Sequence, residues 1–224
     1  MFKKGLNLQM FLTLAVILSA TVLICFFAAT CTGGKLKFEK TYYFVYYRES
    51  DNALSASSLS QTAANYGGAG YILRYGDSYF VTFACYQKED EAKKVCSNLK
   101  SRDLDCKILN VEIKEYKLGS RNAKNNQKLY LGNLNTFDSL SSLAYECANG
   151  LDTGEYSQNT AKQILSSIAD SLKGLLKANE NNCFTEGIQS LIEECEGVSG
   201  YLLSKNMRYI QIALADKIIN AQLN

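Results

Sequence analysis

The 224-residue chain contains no histidine, no proline and no tryptophan. Without histidine there is no Ser-His-Asp or Cys-His pair to activate a nucleophile, and no imidazole ligand for a metal. Several common enzyme classes are thereby excluded, although carboxylate and cysteine chemistry are not. Eight cysteines are present, at 25, 31, 85, 96, 106, 147, 183 and 195, but no C-x-x-C occurs and the spacings fit no zinc framework. Most of these cysteines read as small buried apolar residues. Cys85, Cys96 and Cys106 are near enough in sequence for a disulfide in an exported domain. An excess of one charge is also lacking, with 24 Lys and Arg against 22 Asp and Glu. That balance argues against a nucleic-acid partner held by charge.

Apolar and aromatic side chains are abundant: 47% of residues are hydrophobic, with 15 Tyr and 10 Phe. The first apolar block is Leu8–Ala29, "LQMFLTLAVILSATVLICFFAA", preceded by Lys3 and Lys4. About 20 apolar residues at a helical rise of about 1.5 Å each span a bilayer core. The run is long for a cleaved signal peptide, so residues 1–34 read as a tail and a retained membrane helix. The expected arrangement has the N-terminus in the cytoplasm and the main domains outside the cytoplasmic membrane.

Residues 41–48, "TYYFVYYR", are β-branched and aromatic and read as a strand. Ser50 or Asp51 is the expected cap of a helix over 52–66. Gly67-Gly68-Ala69-Gly70 then turns the chain. A phosphate loop needs a strand before it and a helix after it, and here the order is reversed, so the glycines read as a helix C-cap. Strands are expected at 71–75 and 78–86, joined by a Gly76-Asp77 hairpin turn. A helix over 88–101 places Ala92, Val95, Cys96 and Leu99 on one face, and a fourth strand covers 105–113. The order is βαββαβ in two similar halves, with both helices on one sheet face. Alternation then groups Val45, Tyr47, Val81 and Phe83 toward the helices, and Phe44, Tyr46, Phe80 and Thr82 on the other face. An aromatic sheet face needs a covering. A ligand and the C-terminal helices are the two candidates.

These residues resemble the SPOR domain of bacterial cell-envelope proteins. "YYFVYYRESDNA" is similar to its opening strand and helix start, and "YFVTFACYQKEDEAKKVCSNLKSRDLDCKIL" to its second half. The resemblance implies an α+β, ferredoxin-like βαββαβ domain over residues 35–118. It also implies non-catalytic binding of peptidoglycan glycan strands on the open sheet face, in division or sporulation. The glycan-binding residues expected on that basis are Phe44, Tyr46, Arg74, Phe80 and Thr82, with rings stacking on sugars and Arg74 or Tyr46 hydrogen-bonding to them. The same strand order belongs to RNA-recognition domains, and "FVTF" at 80–83 matches the end of their aromatic motif. Its basic start is missing, so no nucleic acid is expected. The carboxylates Glu89, Asp90 and Glu91 suit a first helical turn rather than acid–base catalysis. No catalytic residue, metal or cofactor is expected.

Residues 119–128 read as a polar linker. Residues 129–224 turn acidic, with 11 acidic and 6 basic groups, and carry helical stripes throughout. Asn135 or Thr136 is the expected cap of a first helix ending near Gly150. Ser157 or Asn159 opens a second through Asn179, and Thr185 a third. Gly197 and Gly200 either break or weaken one long final helix. An antiparallel bundle follows, packed on itself or offering a protein partner a surface. The alternative to glycan binding is a membrane-anchored structural or adaptor protein that uses this bundle for protein contacts.

Overall fold

A computed structural model describes residues 35–118, 126–178, 187–198 and 200–221. The expected membrane helix, the cap at Thr185 and Cys25, Cys31 and Cys183 lie outside the described residues. Among the described residues no helix is long and apolar enough to cross a membrane.

The chain is α+β. Strand β1 (Lys35–Ser50), helix α1 (Ala53–Asn65), β2 (Tyr71–Tyr75), β3 (Ser78–Tyr86), α2 (Glu89–Lys100) and β4 (Lys107–Lys117) follow one another in the expected βαββαβ order. Among the described residues four helices follow: α3 (Gln127–Thr153), α4 (Gln158–Ala178), α5 (Ile188–Gly197) and α6 (Ser204–Ile219). The four strands form one antiparallel sheet in the order β2-β3-β1-β4.

Strand β1 starts six residues before the expected strand. Lys35, Leu36, Lys37, Phe38 and Glu39 alternate charged and apolar, and Leu36 and Phe38 are buried while the charges are exposed. Between β1 and β3 the register shifts on either side of Tyr46, leaving Phe83 and Tyr47 without ladder partners. Their rings meet edge to face, 6.0 Å apart.

Helix α1 is capped by Asn52 rather than Ser50 or Asp51, its side chain accepting from Ser55 N at 2.8 Å. The helix ends as the glycines foretold. Gly67 has φ +85° and its N–H bonds to Ala64 O, while Gly68 N–H reaches Ala63 O. This paired pattern satisfies the last carbonyls of the helix. Helices α1 and α2 bury Ala56, Ala63, Ala92 and Cys96 against Val45, Val81 and Phe83.

Helix α3 begins at Gln127, within the expected linker and well before Asn135 and Thr136. Thr136 is interior, its hydroxyl donating to Gly132 O. The apolar stripe runs back through Phe137 and Leu134 to Tyr130, all buried. Ser157 accepts from Thr160 N, in keeping with its expected place as the cap of α4. Gly200, with φ +85°, lies in the break between α5 and α6. Helices α3 and α6 pack together and lie on the sheet, and α4 and α5 pack outside them. A continuous core joins these helices to one face of the sheet.

Candidate functional site

Alternation along β1 sends Tyr42, Phe44 and Tyr46 to one face and Tyr43, Val45 and Tyr47 to the other. Across β3 the first face receives Phe80, opposite Leu73 of β2, and Thr82, opposite Tyr46. Phe80 meets Tyr46 edge to face with ring centroids 5.1 Å apart. The Thr82 hydroxyl donates to Tyr71 O at 2.8 Å. Phe44, Tyr46, Phe80 and Thr82 thus share one sheet face, as alternation groups them.

The face is not open. Phe44 and Thr82 are 0% exposed, Phe80 6% and Tyr46 9%. Helix α6 crosses β2 and β3, and α3 lies over β1. Of the two coverings the sequence left open, the C-terminal helices are the one found.

Arg74 stands apart from the other four. It pairs with Tyr79 across the β2–β3 ladder, its guanidinium 6.0 Å from the ring centroid, while Leu73 takes the place opposite Phe80. Tyr79 packs with the α1–α2 core, so Arg74 shares that side of the sheet. One residue of alternation separates it from the expected face.

Directional bonds tie the helices to the sheet. Gln211 of α6 donates to Cys85 O at 2.8 Å, and Ser141 of α3 donates to Gln211 O at 3.0 Å. Asp138 of α3 accepts from the Tyr42 hydroxyl at 3.0 Å, from Gln87 at 3.3 Å and from Lys40 at 2.5 Å. At the far end the Tyr71 hydroxyl donates to Asp216 at 2.6 Å, Asn220 donates to Arg74 O at 3.1 Å, and the Tyr116 hydroxyl donates to Ile218 O at 2.6 Å.

Burial and the neighbouring Asp138 charge push the Tyr42 hydroxyl pKa well up, and burial with Asp216 does the same to Tyr71. Both phenols therefore remain proton donors to their carboxylates. Burial raises Asp216 too, opposed by the hydrogen bonds from Tyr71 and Asn220. Burial pushes the Cys85 thiol up, and holds Cys147 and Cys195 at about 12. Such thiols hold little thiolate, the form that acts as a nucleophile.

A small cavity of about 220 Å³ remains where the roof meets the end of the sheet, bounded by Tyr42, Gln87, Glu91, Ser142, Tyr145 and Gln211. Tyr145 donates to Glu91 at 2.9 Å across it. Gln211 Oε1 is buried without a hydrogen-bond partner. Among the described residues no cluster of three or more Cys, Asp and Glu is placed to hold a metal ion.

Sequence reasoning did not single out Gln211, Asp138 or Asp216. A signal for Gln211 was present, since it is the one polar residue in the run Ile210–Ala215. A lone amide in an apolar helix is retained where it has a buried partner. No family model, no curated protein and no solved structure matches the chain.

Proposed function

We propose that the chain is a non-catalytic structural or adaptor protein of the cell envelope, held to the membrane by Leu8–Ala29. In it a ferredoxin-like βαββαβ sheet serves as the seat of a helical unit rather than as a glycan platform. One observation carries this reading: the aromatic face of Phe44, Tyr46 and Phe80 is roofed by α3 and α6. A glycan strand needs that face accessible. Removing the roof would expose the aromatic face to water and exchange the buried bonds of Gln211 for bonds to water, a net loss of roughly 0.5–1.5 kcal/mol per bond. The lack of histidine throughout the chain and the burial of every cysteine among the described residues support a non-catalytic role. Contact with a protein partner then falls to the helical unit. There Tyr201 and Leu203 stand exposed beside Glu193 and Glu194, a combination suited to a segment with apolar and basic side chains.

Co-sedimentation of the full-length protein with peptidoglycan sacculi, before and after amidase removal of stem peptides, tests the choice. No saturable binding to either preparation is expected. Saturable binding that increases on stripping and is lost in Phe80→Ala would restore the glycan reading implied by the SPOR resemblance.

A further inference from the structure

Cys96 lies on α2 and Cys106 just before β4, on the two sides of the turn through Ser101–Asp105. Both are buried in the core between the sheet and α1–α2, at 5% and 0% exposure. The Cys96 thiol lies 3.2 Å from Cys106 O, and the Cys106 thiol lies 3.1 Å from Cys96 O. These reciprocal contacts place each sulfur against the backbone of the other residue. A disulfide requires this kind of mutual approach, in which each sulfur reaches the other residue's backbone. Cys85, the third cysteine that sequence spacing brings under suspicion, is excluded by the fold. Its side chain belongs to the opposite, roofed face of the sheet.

We propose that Cys96 and Cys106 are a disulfide site that staples the C-terminal end of α2 to the start of β4. In the reaction two S–H bonds break and one S–S bond forms. Two protons and two electrons pass to a disulfide oxidant such as oxidised glutathione, which leaves as two thiols through a mixed-disulfide intermediate. Burial, together with the Cys96 thiol, pushes the Cys106 thiol up to about 12, and the near-complete burial of both side chains keeps an oxidant away in the folded, reduced protein. The bond therefore forms while the chain is folding and only slowly afterwards. The short closed loop is expected to raise Tm by roughly 5–10 °C.

The full-length protein is refolded in a glutathione redox buffer, alkylated without reduction and digested. The expected product is a peptide pair linked through Cys96 and Cys106, formed far faster during refolding than on treating the folded, reduced protein. A reductant is then expected to lower Tm in the refolded wild type, and to leave Tm unchanged in a Cys96→Ala/Cys106→Ala double variant refolded the same way. Recovery of both cysteines as alkylated thiols, a bond from either to another cysteine, or an equal reductant-induced drop in the double variant would each overturn the proposal.

Discussion

Replacing Phe44 with alanine is expected to reduce the unfolding free energy of the full-length protein by about 3–5 kcal/mol. The side chain has no exposure to solvent, touches Tyr42 with ring centroids 6.2 Å apart, and lies within the core shared by sheet and roof. Truncation leaves a cavity that neither layer can close, because the sheet is fixed by its ladders and the helices by the Gln211, Asp138 and Asp216 bonds. A residue on an open ligand platform behaves otherwise, since surface substitutions away from special features change stability by about 0.5 kcal/mol or less. Urea unfolding of wild type and variant separates the two cases.

The turn out of α1 gives the second large effect. Gly70 has φ +66°, and a Cβ there would sit 2.8 Å from the backbone oxygen of Ser60. A side chain thus meets both the left-handed penalty, about 1–2 kcal/mol, and a clash with backbone that cannot rotate away, about 1–3 kcal/mol. Gly70→Ala is expected to cost about 2–5 kcal/mol. Gly67 also has positive φ, +85°, but faces open space, so Gly67→Ala is expected to cost only about 1 kcal/mol. Thermal or urea unfolding of the two variants side by side checks the ordering. Equal losses would show that the close approach to Ser60 plays no part.

Much of the sheet was legible in the sequence. Aromatic and β-branched runs marked the strands, glycines marked the end of α1, and period-two alternation sorted Phe44, Tyr46, Phe80 and Thr82 onto one face. The covering of that face was not legible. Burial of apolar surface is non-directional, so the same aromatic pattern serves a sugar, a partner or a helix of the same chain. Arg74 was misplaced because its side follows from the β2–β3 register, which sets it opposite Tyr79. The early part of β1 was hidden in another way. Lys35, Lys37 and Glu39 alternate with Leu36 and Phe38 as in a strand, but the pattern directly follows the residues read as a membrane helix. In α3, Asn135 and Thr136 masked a helix already under way, because the buried stripe through Tyr130, Leu134 and Phe137 overrides their weak helix propensity.

The central claim is that α3 and α6 permanently roof the aromatic sheet face, and Cys85 reports on it from within. Its side chain is 1% exposed on that face, beneath Gln211. The most direct measurement is time-resolved alkylation of the full-length, native, reduced protein, read out by peptide mass spectrometry at Cys85 and compared with Cys96 on the other face. The account predicts that Cys85 is modified no faster than Cys96, both at the rate of global unfolding measured in the same buffer. Rapid modification of Cys85 while Cys96 stays protected would show that the roof opens on its own and that the sheet face is available to a ligand.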